Sequence, residues 1–159
     1  MPRALGPRGL RRALNLWPPY LFSGIHVRTM SDDWRHAEVE LRARPWNRNY
    51  VGVHFGGSLF SMCDPFWMLL TMNAIGRDYY VWDRAGAIEF LKPARGTVRA
   101  RFDLDDAALD ALRADAENGE KVLRWFETDI VDAEGETVAR MRKQLYVRRK
   151  RPPGGTTAR

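Results

Sequence analysis

The chain has 159 residues, 45% hydrophobic and 29% charged, which excludes an intrinsically disordered protein and fits one globular domain with a core. A single cysteine, Cys63, excludes an intramolecular disulfide and points to a reducing, cytoplasmic setting. The net charge of +6 gathers at the ends, and the interrupted start, Arg, Pro and Gly among its apolar residues, excludes a secretory signal.

In chain order, residues 1–10 read as a disordered basic tail carrying Arg3 and Arg8. One domain is expected over 11–150. Arg11 to Trp17 fits a short helix stopped by Pro18-Pro19. Ile25 to Met30 reads as a short strand. His36 to Arg42 alternates, with Ala37, Val39 and Leu41 on one face, the pattern of a half-buried strand. A polar loop follows to Asn49.

Asn49 to Gly76 is the most apolar stretch, and its helix should be buried on nearly every face, with Gly76 as a C-terminal cap. Asp64, Pro65 and Asn73 interrupt the run and argue against a membrane span. Tyr79 to Leu91 reads as a long strand in which Gly86 marks a bulge or a close approach. Thr97 to Leu104 alternates again. Asp105 to Glu117 is an amphipathic helix with Asp105 as N-cap. Lys121 to Val131 and Thr137 to Arg148 form a hairpin across Asp132–Glu136. Residues 151–159 read as a second disordered tail. The order predicts an α+β fold, a curved antiparallel sheet wrapped around the apolar helix. The six Trp suggest a large aromatic core or a ligand cavity.

A carboxylate within such a helix is costly to bury unless it is hydrogen-bonded or has a task. If Gly57 to Ile75 is one helix, Gly57, Ser61, Asp64, Met68 and Thr71 share a stripe. The backbone N–H groups beside Gly56-Gly57 could then polarise a carbonyl and hold an oxyanion. Asp64 could act on water as a general base, or attack directly. Asp64-Pro65 is equally a helix start, with Asp as N-cap and Pro at the first helical position. Cys63 reads as a small core residue. No spacing of His, Cys, Asp or Glu suggests a metal site, and no phosphate loop or dinucleotide fingerprint is present.

The pattern Asn49-x-x-Gly52…Gly56-Gly57…Asp64 resembles the hotdog-fold acyl-CoA thioesterases of the 4-hydroxybenzoyl-CoA and phenylacetyl-CoA thioesterase type. The stretches NYVGVHFGGSLFSMCDPF, DYYVWDRAGAIEFLKPARG and KQLYVRRK resemble an uncharacterised bacterial domain-of-unknown-function branch of that superfamily. The resemblance implies a hotdog fold: a long central helix wrapped by an antiparallel sheet, here with a second short helix. It implies a homodimer or homotetramer with the acyl-CoA site at the dimer interface. It assigns Asp64 the catalytic carboxylate, Gly57 the oxyanion donor and Asn49 a place near substrate or water. The family's His stands directly before Gly-Gly. Here Phe55 takes that place and His54, the remaining catalytic candidate, lies one residue earlier, a shift that could turn the imidazole away or leave it reaching the site from a loop. Among the cations near the strand pair, Arg95 is the candidate for the coenzyme A phosphates, coenzyme A being part of the substrate and no separate cofactor being implied.

Three functions compete. A thioesterase hydrolyses an acyl-CoA thioester through Asp64 and Gly57. A non-catalytic acyl-CoA or lipid binder uses the same cavity. Nucleic-acid binding through the basic ends ranks last, because few aromatics interleave with the Lys and Arg.

Overall fold

The computed structural model describes residues 5–150. Five helices and six strands follow in the order α1 (Pro7–Leu16), α2 (Pro18–Ser23), β1 (Ile25–Met30), β2 (His36–Leu41), α3 (Gly56–Cys63), α4 (Phe66–Ala74), β3 (Tyr79–Phe90), β4 (Val98–Asp103), α5 (Asp106–Asp115), β5 (Val122–Val131) and β6 (Thr137–Arg149). The strands form one six-stranded sheet in the order β1-β2-β4-β5-β6-β3, and every pair is antiparallel.

The alternation read in the sequence sets the register. Ala37, Val39 and Leu41 of β2 lie opposite Phe102, Ala100 and Val98 of β4, and all six are buried. α3 and α4 lie on this face through Leu59, Met62, Cys63, Phe66, Trp67 and Leu70. Trp67 stacks on Phe126 and donates its indole N–H to Thr128 Oγ1 at 2.7 Å, so the largest core side chain leaves no orphaned donor.

The expected tail over residues 1–10 is shortened by α1, which starts at Pro7. Leu10 and Leu14 pack on the core, and the Asn15 amide pairs with both backbone groups of Val27. Residues 1–4 and 151–159 lie outside the described residues. Pro18-Pro19 ends one helix and opens the next: Trp17 is extended, as a residue before proline must be, and the prolines fill the first turn of α2. Sequence reasoning missed α2.

The apolar segment is two helices with a break at Asp64-Pro65, not one. Both residues keep right-handed helical dihedrals, so the chain kinks without leaving the helical path. Pro65 has no N–H to give the Ser61 carbonyl four residues back. The Tyr20 hydroxyl of α2 donates to that carbonyl instead, at 3.1 Å. The N-cap reading of Asp64 fails, because its dihedrals are helical and its side chain caps nothing. The segment is also not buried on nearly every face. Ser61, Met72 and Asn73 are exposed, and Phe60, Asp64, Met68 and Leu69 are half-buried. Thr71 falls on the buried side, so the expected polar stripe ends at the kink.

In β3 the bulge falls at Arg84, two residues before Gly86. Gly86 is the close approach: a Cβ there would lie 2.7 Å from Phe60 Cζ.

Candidate functional site

The sheet delivers an unexpected group to the kink. Along β6, Ala139, Met141, Lys143, Leu145 and Val147 all face the core. Lys143 is 4% exposed, and its ammonium reaches Asp64 Oδ1 at 2.5 Å and Asp83 Oδ2 at 3.2 Å. Gly86, opposite Lys143 on β3, leaves room for the lysine stem and the Phe60 ring. The bulge at Arg84 keeps both Asp83 and Gly86 on the core face. One buried ammonium is thus matched by two partly exposed carboxylates, a cluster with one net negative charge when all three are charged. Burial raises the Asp83 carboxyl above its ordinary range, Lys143 opposes the rise, and the negative charge of Asp64 adds to it. Sequence reasoning missed Lys143 and Asp83. The available signal was one lysine in an otherwise apolar alternating face.

Two turns before Asp64, α3 begins without a side-chain cap. The N–H groups of Gly56 and Gly57 find no acceptor among the described residues. Both glycines are fixed by aromatics: a Cβ on Gly56 would lie 2.8 Å from Phe90 Cζ, and the Phe55 ring covers the corresponding space at Gly57. Phe55, in the position the resemblance gives to His, is exposed.

Beside this helix end lies an open cavity of about 620 Å³, lined by Val51, Leu59, Phe90, Leu91, His54 and Arg95 among others. A smaller cleft of about 210 Å³ adjoins it between Arg48 and Arg95. Both arginines are without a carboxylate partner among the described residues. His54 lines both spaces but is held by the loop. Its Nε2–H donates to the Gly96 carbonyl at 2.6 Å, and its Nδ1 is buried with no partner. Burial lowers its pKa below the ordinary value, so the ring is neutral at pH 7. Asn49 also lines the larger cavity, but its amide oxygen accepts from Val51 N and Val53 N, both at 3.1 Å. Its polar atoms hold its own loop. Burial and the neighbouring Asp64 push the Cys63 thiol far up, so Cys63 is an inert core residue.

The candidate residues therefore fall into two groups. Asn49, His54, Arg95 and Gly56 line the cavity, with Gly57 next to it under the Phe55 ring, and Asp64 with Lys143 and Asp83 sits at the kink. From Gly57 to Asp64 is seven residues, roughly 10 Å at the helical rise. Among the described residues no three His, Cys, Asp or Glu converge on a possible metal position.

The profile of the family described as Domain of unknown function (DUF4442) matches residues 6–147. The chain belongs to the DUF4442 family. No curated protein matches this DUF4442 chain. Among solved structures it resembles the Pseudomonas aeruginosa protein PA5026, described as a "Probable Thioesterase", with a TM-score of 0.79 and 20% identity over 91% of this chain and 97% of that one. It also resembles the thioesterase HI1161 of Haemophilus influenzae, with a TM-score of 0.65 and 15% identity over 96% of each chain. A Chlorobaculum tepidum protein of unknown function gives a TM-score of 0.68 and 18% identity over 92% and 98%. At these identities the likeness is one of fold.

Proposed function

We propose that this DUF4442 protein is a hotdog-fold acyl-CoA thioesterase whose site is completed by a second copy of the chain. The observation that carries the reading is the pairing of free N–H groups on Gly56 and Gly57 with a carboxylate, Asp64, further along the same helical segment. The Gly57 N–H receives the thioester carbonyl oxygen and stabilises its negative charge as water adds. Asp64 takes the proton of that water, the carbon–oxygen bond forms, and the carbon–sulfur bond breaks to release coenzyme A thiolate. Solvent protonates the thiolate, and Asp64 returns its proton to solvent as the carboxylic acid product leaves. Lys143 and Asp83 hold the Asp64 carboxylate in place. The apolar cavity takes the acyl chain, and Arg95 with Arg48 takes phosphate groups of coenzyme A.

The roughly 10 Å between Gly57 and Asp64 is too long for both to act on one carbonyl within one copy. An antiparallel pair of copies would set Gly57 of one against Asp64 of the other. Edge strand β3, with Trp82 and Phe90 exposed, offers the surface for such pairing.

Free-thiol release from acyl-CoAs of short, long and aromatic chains tests the reading. Turnover that disappears in Asp64→Ala is the expected result, and an unchanged rate would remove Asp64 from the mechanism. A specific observation favours a second reading, a non-catalytic acyl-CoA binder: Phe55 covers Gly57 and the His54 ring is tied to Gly96. Equilibrium binding of the same panel without thiol release selects it.

A further inference from the structure

We propose that the end of the molecule formed by α1, α2 and the loop 42–47 binds the surface of an anionic membrane. The proposal is independent of any activity at the Asp64 site. Leu16, Trp17, Leu21, Phe22 and Trp46 are all exposed there, Leu16 at 73%, Phe22 at 70% and Trp46 at 68%. A cluster of exposed apolar side chains on neighbouring elements marks an interaction site. It is rigid. The Trp46 indole N–H donates to the Phe22 carbonyl at 3.1 Å, the Asn47 amide donates to the Ser23 carbonyl at 2.8 Å, and Trp17 packs on the buried Tyr20. These aromatic side chains are held outward by structure, not left there by a loose loop.

The charge around the patch selects the partner. Residues 5–31 and 41–63 contain seven arginines (Arg8, Arg11, Arg12, Arg28, Arg42, Arg44 and Arg48) and no Asp or Glu. Arg28 and Arg42 are taken up by Glu40, and Arg8 by Asp32. Arg12, one turn before Leu16, and Arg44, against Gly24 at the end of α2, are exposed and have no carboxylate partner among the described residues. An apolar centre with Trp, Phe and Leu, bordered by the unpaired Arg12 and Arg44 while the carboxylates of Asp32 and Glu40 are held by Arg8, Arg28 and Arg42, matches the acyl and headgroup layers of an anionic bilayer. A nucleic acid would meet a greasy centre instead of a basic groove. No helix among the described residues is long and apolar enough to cross a membrane, so the contact is peripheral.

Sedimentation of the full chain with vesicles tests this, using phosphatidylcholine alone and an equal mixture of phosphatidylcholine and phosphatidylglycerol. Binding to the mixed vesicles that weakens with salt and with loss of the anionic lipid is expected. The double variant Arg12→Gln/Arg44→Gln should bind about twenty-five-fold more weakly, at roughly fivefold per arginine. Phe22→Ser/Trp46→Ser should lose binding, while Leu123→Ser/Trp125→Ser, on the exposed face of β5, should keep it. Circular dichroism confirms that each variant is folded. Failure to sediment with mixed vesicles, or full binding by Phe22→Ser/Trp46→Ser, overturns the proposal. So does an oligomer that the Phe22/Trp46 variant alone dissociates, which would give the patch to a second copy.

Discussion

At the scale of single residues, Lys143 decides how Asp64 can be tested. A buried ammonium without a counter-charge is strongly destabilising, by about 3 to 5 kcal/mol in the interior. Two carboxylates face Lys143, so removing either leaves the other. Asp64→Asn and Asp83→Asn should each lower stability by about 1 kcal/mol. The double variant should lose more than their sum, because only it strands the lysine. Urea unfolding of the four proteins measures the coupling, and simple additivity would mean that Lys143 finds another partner. A second residue-scale prediction concerns His54. Its folded pKa lies below 6.5 through burial, so the folded state binds fewer protons than the unfolded one between those values. Stability from the neutral ring is complete above pH 6.5 and declines as the pH falls toward the folded pKa. Wild type should therefore lose urea resistance on acidification relative to His54→Gln, and parallel curves would mean that the imidazole can be protonated in place.

Among elements, the α3–α4 kink shows what a sequence can and cannot say. Proline at position 65 announces a lost hydrogen bond, and that much was legible. What receives the orphaned carbonyl was not, because Tyr20 lies 41 residues away and belongs to a helix hidden behind two prolines. Tyr20→Phe should cost about 1 to 2 kcal/mol by leaving the Ser61 carbonyl without a donor. In a Pro65→Ala background the restored N–H can serve that carbonyl, so the cost should shrink toward zero. A double-mutant cycle in thermal unfolding measures this, and an equal cost in both backgrounds would mean that the Tyr20 hydroxyl does not stand in for the N–H that Pro65 lacks. The strands were legible for the opposite reason. Their alternation is a local pattern, and Ala37, Val39 and Leu41 reached the core face as read. The site was legible only in part. Gly57 and Asp64 stand out as candidates by their spacing alone. Asp83 and Lys143 come together only through a bulge and a cross-strand register that no local rule fixes.

For the whole molecule, the distance along one helix becomes a statement about assembly. If Gly57 and Asp64 from different copies serve one carbonyl, each two-fold dimer carries two composite sites. Gly57→Pro removes the donor N–H at a first-turn position where that group has no helical acceptor, so α3 should persist once the exposed Phe55 ring turns aside from the added Cβ. Asp64→Ala removes the base. Each variant alone should be inactive on an acyl-CoA that wild type hydrolyses. When equal amounts are unfolded and refolded together, half of the dimers are mixed. In a mixed dimer one site receives both defects and the other receives none. About a quarter of the wild-type rate should return. If both residues of a site come from one copy, every site in the mixture keeps a defect and no activity returns. Mixing without recovery, with heterodimers verified by mass spectrometry, would place the whole site within a single chain. It would then require a helix movement that brings Gly57 and Asp64 to one carbonyl.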